Sequence, residues 1–95
     1  MIHISVVARS SREVVLKIAG HLTRENAPIL AREGDHWLRQ SEVLVLELAE
    51  VQFVDRAGLA LLQRWATQKL VLRGAIPFIR TLLEQAGLQV EKGGS

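Results

Sequence analysis

The sequence predicts an α/β domain: a single mixed β-sheet, an N-terminal hairpin and then parallel strands, with about three helices packed on it. Two observations carry this. Short aliphatic and β-branched runs at residues 2–7, 14–19, 43–48 and 70–72 read as strands. Segments with helical apolar spacing separate the later runs, and strands alternating with helices imply right-handed crossovers and parallel neighbours. Ninety-five residues fit one domain and leave no room for a second core. It is expected over residues 1–91, with the Gly-rich stretch 92–95 as a flexible tail.

Each element has its own local reason. Residues 2–7 and 14–19 are joined by a short polar turn containing Ser10-Ser11, so they form a hairpin, and the second strand ends at Gly20. Thr23 or Asn26 then caps a helix with Pro28 in its first turn, where a missing N–H costs little. Ile29, Leu30, Trp37 and Leu38 recur at helical spacing and mark its buried side. Gly34 weakens that helix by about 1 kcal/mol relative to Ala. Residues 43–48 are nearly all apolar, as in a strand covered on both faces. Residues 49–54 read as a loop anchored by Val51 and Phe53. A second helix runs from Asp55 to about Thr67, and 70–72 form another core strand closed by Gly74. The last helix, 76–86, places Phe78, Ile79, Leu82 and Leu83 on its buried side and ends at Gly87 as a C-cap. Leu88 and Val90 are expected in a short terminal strand.

The junction at Asp55 is the most informative point. An Asp directly before an apolar helical run is an N-cap, its carboxylate accepting from Ala57 or Gly58 N–H and facing the positive end of the helix dipole. Gly58 costs about 1 kcal/mol by propensity. A sequence accepts that where a side chain would clash, so the backbone here lies close to a strand or to a partner. Arg56 opposes the helix dipole; it is either a solvated side chain paired with Asp55 or Glu50, or a specificity contact to an acidic partner. The run Leu59-Ala60-Leu61-Leu62 is apolar all round. Either part of Ala57, Ala60 and Leu61 is exposed near Arg64 as an interface patch, or the helix is wedged between the sheet and a neighbour.

Composition excludes several functions. With no cysteine there is no disulfide, thiolate nucleophile or sulfur-ligated metal. His3, His21 and His36 share no metal-ligand spacing, and the glycines form no phosphate-cradling loop, so neither metal nor cofactor is expected. His21 follows Gly20 in a turn. Glu47 interrupts an apolar strand and is expected near Asp55, as a supporting residue only. The net charge is +2, with nine scattered Arg among twelve basic residues and 4% aromatics. A nucleic-acid binder concentrates such charge on one face among stacking aromatics, so nucleic acid is not an expected partner. No apolar run reaches the length of a membrane span and the start lacks the features of a secretory signal, so a cytoplasmic protein is expected.

The run Val43-Leu44-Val45-Leu46-Glu47-Leu48, then Val51-Gln52-Phe53-Val54-Asp55-Arg56-Ala57-Gly58-Leu59-Ala60-Leu61-Leu62, resembles the signature of STAS domains, in which a Leu-Asp-Leu strand end and a short loop lead to Asp-Ser-Ser-Gly-Leu opening a helix. Leu16-Lys17-Ile18-Ala19-Gly20-His21-Leu22-Thr23 is similar to the family's second strand and its turn. Ile76-Pro77-Phe78-Ile79-Arg80-Thr81-Leu82-Leu83 is similar to its third helix. The likeness spans about residues 1–90. It implies a non-enzymatic interaction module of the anti-sigma factor antagonist type. The partner-binding residues implied are Asp55, Arg56, Ala57, Gly58, Ala60, Leu61 and Arg64, at the switch loop and helix start.

Two departures stand out. The family's phosphorylatable Ser corresponds to Ala57, so the phospho-site is absent, and the other Ser of the motif is Arg56. The chain also stops soon after Leu88, where many members continue into a further strand and helix. The resemblance implies a protein partner, an anti-sigma factor or kinase, and a monomer or weak dimer. The alternative is an accessory subunit of an ABC-type lipid or organic-solvent transporter ATPase, since those small subunits often carry Val-Asp-x-x-Gly-Leu-Ala-Leu-Leu, close to residues 54–62.

Overall fold

The strands lie in the sheet in chain order, and that order decides where the helices go. The computed structural model describes residues 1–92. Its elements are β1 (Ile2–Arg9), β2 (Glu13–Leu22), α1 (Ala27–Gln40), β3 (Val43–Val54), α2 (Arg56–Trp65), β4 (Leu70–Arg73), α3 (Pro77–Gln85) and β5 (Val90–Glu91). They build one five-stranded sheet in the order β1-β2-β3-β4-β5. β1 is antiparallel to β2, and the other neighbours are parallel. Successive right-handed crossovers between adjacent strands all turn the same way, so α1, α2 and α3 share one face.

Burial follows this layering. Val14, Leu16 and Ile18 of β2, Leu44, Leu46 and Leu48 of β3 and Leu72 of β4 form one core with Leu30, Trp37, Leu62, Trp65, Ile79 and Leu83 from the helices. The opposite face carries a charged row. Lys17, Glu47, Arg73 and Glu91 stand in register across β2 to β5. Glu47 is therefore a residue of the helix-free face, and its carboxylate accepts from Arg73 Nη2 at 2.8 Å.

β2 and β3 are longer than the sequence pattern predicts. β2 continues through Gly20, which adopts φ +103°, to Leu22. β3 takes in residues 49–54, expected as a loop, because β2 supplies partners along this length: Gly20 opposite Val51, His21 opposite Phe53 and Leu22 opposite Val54. The register shifts between Lys17 and Ala19 and between Gly20 and His21. Those irregularities bury Leu48, Val51 and Val54 at every third residue instead of every second, which hides the strand from a period-two reading. Phe53, expected as an anchor, is 45% exposed.

The helices correct four further expectations. In α1 the buried line is Leu30, Gly34 and Trp37. Ile29 sits one residue, about 100°, round the helix from Leu30 and is 56% exposed. Asn26 occupies the N-cap position but makes no cap bond; its Nδ2 donates to the His21 carbonyl at 2.8 Å. Gly34 is explained by Trp65, whose indole packs onto it so closely that any side chain would overlap the ring. α2 ends at Trp65 and not near Thr67. In α3, Ile79 and Leu83 are buried, while Phe78 lies about 100° away and is 62% exposed. Gly87 closes α3 at φ +86°, as the C-cap pattern requires. Of the tail expected at 92–95, residues 93–95 lie outside the described residues.

Candidate functional site

Asp55 is the first residue after β3, at the carboxyl end of the parallel strands, and it is the N-cap of α2. Its two carboxylate oxygens do separate work. Oδ1 accepts from Gly58 N–H at 2.9 Å, closing the first turn. Oδ2 accepts from Arg24 N–H at 2.9 Å, tying in the segment that leads to α1. These two backbone bonds, the Gly58 one foremost, hold the carboxyl below its usual range against a partial loss of hydration. Asp55 N–H donates to the Leu22 carbonyl at 3.1 Å, so β2, α1 and α2 converge on one residue.

Gly58 is buried under this junction. A Cβ there would lie 2.6 Å from the Leu22 carbonyl oxygen and 2.8 Å from Leu22 Cγ. Of the two explanations the sequence leaves open, close approach to the chain's own strand accounts for the glycine.

The remaining α2 residues divide by face. Leu61 is buried, Ala57 half-buried, and Ala60, Arg56 and Arg64 exposed. Ala57, Ala60, Leu61 and Arg64 line a groove of about 520 Å³ between α1 and α2, completed by Arg24, Ala27, Pro28 and Ala31. Small side chains face each other here: Ala27 and Ala31 one turn apart on α1, Ala57 and Ala60 one turn apart on α2. The all-round apolar helix is therefore split between inward packing and exposure. Leu61 and Leu62 are wedged inward, and Ala60 opens to solvent. Arg64 reaches Asp35 at 3.4 Å, and Trp65 Nε1 donates to Asp35 Oδ1 at 2.9 Å. Asp35 on α1, which the sequence pattern gave no reason to single out, thus fastens α1 to α2 at the far end of the groove.

Other expected residues lie apart. Arg56 forms an ion pair with neither Asp55 nor Glu50 among the described residues; Glu50 instead pairs with Lys17. Glu47 is eight residues before Asp55 along an extended strand, roughly 25 Å by strand rise, so the two carboxylates do not meet. His21 is on β2 and not in a turn. It is exposed, packs edge-on to Phe53 at 6.5 Å, and lines a polar recess with Met1, Thr23, Arg24, Glu25, Asn26 and Asp55. Among the described residues, no group of three His, Asp or Glu is placed to hold a metal ion, and no helix is long and apolar enough to cross a membrane.

Comparison with known proteins places this arrangement. The structure is similar to that of the anti-sigma factor antagonist SpoIIAA in its unphosphorylated form, with 15% identity, a TM-score of 0.78, and 100% of this chain and 89% of that one covered. The phosphorylated form of the Bacillus cell fate determinant SpoIIAA gives 13% identity, a TM-score of 0.73, and coverage of 98% and 92%. An anti-sigma factor antagonist from Mycobacterium paratuberculosis gives 19%, a TM-score of 0.81, and coverage of 100% and 87%. At these identities the likeness is one of fold. No curated protein matches the sequence. The sequence model of the family described as "Mlab, STAS domain" matches residues 5–90, and the chain belongs to that STAS family.

Proposed function

We propose that this protein is a non-enzymatic STAS docking module that engages a protein partner through the start of α2 and the adjoining α1–α2 groove, with no phosphorylation switch at position 57. One observation carries the reading. Asp55, Arg56, Ala57 and Gly58 include no hydroxyl, nor, among the described residues, does the groove lining. A phosphate adds about −1.5 to −2 charges where it is placed, and this surface offers it no acceptor. Docking here is constitutive, and a partner meets the fixed positive charge of Arg56.

The partner is an anti-sigma factor or kinase, or the ATPase subunit of an ABC-type transporter. Constitutive docking suits a permanent subunit, and Val54-Asp55-Arg56-Ala57-Gly58-Leu59-Ala60-Leu61-Leu62 keeps the pattern of the ABC-associated small subunits. We therefore favour the ATPase. Tagged protein purified from its native cells, with the co-purifying chains identified by mass spectrometry, tests this. An ABC ATPase retained in stoichiometric amount, and lost on Ala60→Trp, supports the reading. Phosphate on Thr23, which lines the recess beside Asp55, or on Thr67 in the same sample contradicts constitutive docking, and retention of an anti-sigma kinase selects the other partner.

A further inference from the structure

We infer that the α1–α2 groove receives an acidic amphipathic helix of the partner protein. This rests on the docking reading above and names the chemistry of the segment that docks. The first ground is backbone hydrogen bonding. The groove is walled by the sides of two helices, whose N–H and C=O groups beyond the first turn are engaged along their own axes. An extended segment laid there would have its backbone groups removed from water with nothing to pair with. A helix satisfies its own backbone and presents only side chains, as in helix-in-groove recognition.

The second ground is shape. The floor consists of Ala27, Ala31, Ala57, Ala60 and Leu61. Four alanines on two facing helices leave a trough where larger side chains would have closed it. From Ala57 to Arg64 is seven residues of α2, two turns or about 10 Å. Apolar anchors at i, i+3 or i+4, and i+7 of an incoming helix cover that same length.

The third ground is charge. Among the described residues, Arg24 and Arg64 are the charged residues of the lining, and no acidic residue lines it. Among the described residues, neither guanidinium is saturated. Only one Nη of Arg64 meets Asp35, at 3.4 Å, and Arg64 is 59% exposed. Asp55 bonds the backbone N–H of Arg24, and among the described residues no ion pair engages the Arg24 guanidinium. An incoming helix with Glu or Asp flanking its apolar stripe finds free donors at both arginines, and a basic one meets repulsion.

The test uses the whole protein and three fluorescent 18-residue peptides. One carries a Leu stripe at i, i+4 and i+7 flanked by Glu. The second replaces each Glu by Lys. The third keeps the Glu residues but has a central Pro that breaks the helix. The Glu peptide is expected to bind, the other two to bind at least about tenfold more weakly, and Arg24→Glu with Arg64→Glu to weaken the Glu peptide by about tenfold or more. Equal binding of the Lys or Pro peptide, or indifference to the double charge reversal, overturns the inference. So does co-sedimentation with phosphatidylglycerol vesicles that the double reversal abolishes while the Glu peptide does not bind, because the arginines then serve a lipid surface. If the native partner is captured and lost on Ala60→Trp but the Glu peptide does not bind, the docking face stands and the acidic helix is wrong.

Discussion

Oδ2 of Asp55 accepts the backbone N–H of Arg24 at 2.9 Å, while its Oδ1 caps α2. One carboxylate thereby joins the lead-in to α1 to the start of α2, the two walls of the groove. Asp55→Ala removes both bonds. The expected result is a melting temperature lower by roughly 4–8 °C, the usual effect of a lost cap in a domain of this size. Amide exchange at Arg24 and Gly58 is expected to quicken along with it.

The same residue sets a pH dependence. Its folded pKa lies below the ordinary value of 3.8 because the backbone N–H groups of Gly58 and Arg24 favour the charged form. A carboxylate of this kind contributes stability above its unfolded pKa, and the contribution fades as pH falls through the lowered folded value. The gap between wild type and Asp55→Ala should stay constant from neutral pH to about pH 5 and narrow below pH 4. Urea titrations across that range measure it, and a gap that widens in acid would contradict the assignment.

Gly58→Ala sets helix propensity against packing. Alanine gains about 1 kcal/mol by propensity. Its Cβ, however, would lie 2.6 Å from a backbone carbonyl oxygen of Leu22 that strand pairing holds in place. Overpacking of this kind costs about 1–3 kcal/mol. Chemical denaturation should show net destabilisation, and a stabilised variant would mean that β2 yields.

Gly34 and Trp65 are coupled through direct contact. Gly34→Ala drives a methyl group into a fully buried indole. Trp65→Phe removes the ring atoms it meets, along with the Nε1 bond to Asp35. Each single change should destabilise, and the pair together should cost about 1 kcal/mol less than the sum. Strict additivity in a double-mutant cycle would show that the two sites relax independently.

Arg56→Glu separates folding from binding. The side chain is exposed and makes no ion pair among the described residues. Its reversal should leave stability within about 0.5 kcal/mol. The negative charge should instead lower partner affinity, read by titration calorimetry against the purified partner. Unchanged affinity would make Arg56 a solvated side chain.

Local pattern was enough to read the α/β class, the hairpin, the three helices and the Asp55 junction. Aliphatic runs, a capping Asp before an apolar helix and a glycine after one each act within a few residues, where the sequence is explicit. Tertiary structure decided the rest. Residues 49–54 became strand because β2 ran on through Gly20 to pair with them. Gly34 gained its reason from an indole thirty-one residues away, and Glu47 was turned to the helix-free face beside Arg73 and away from Asp55. For Asp55, the local rule supplied the bond to Gly58. Only the meeting of β2, β3 and the approach to α1 could supply the bond to Arg24, because a strand's neighbours are chosen by crossovers whose outcome no short window of residues contains.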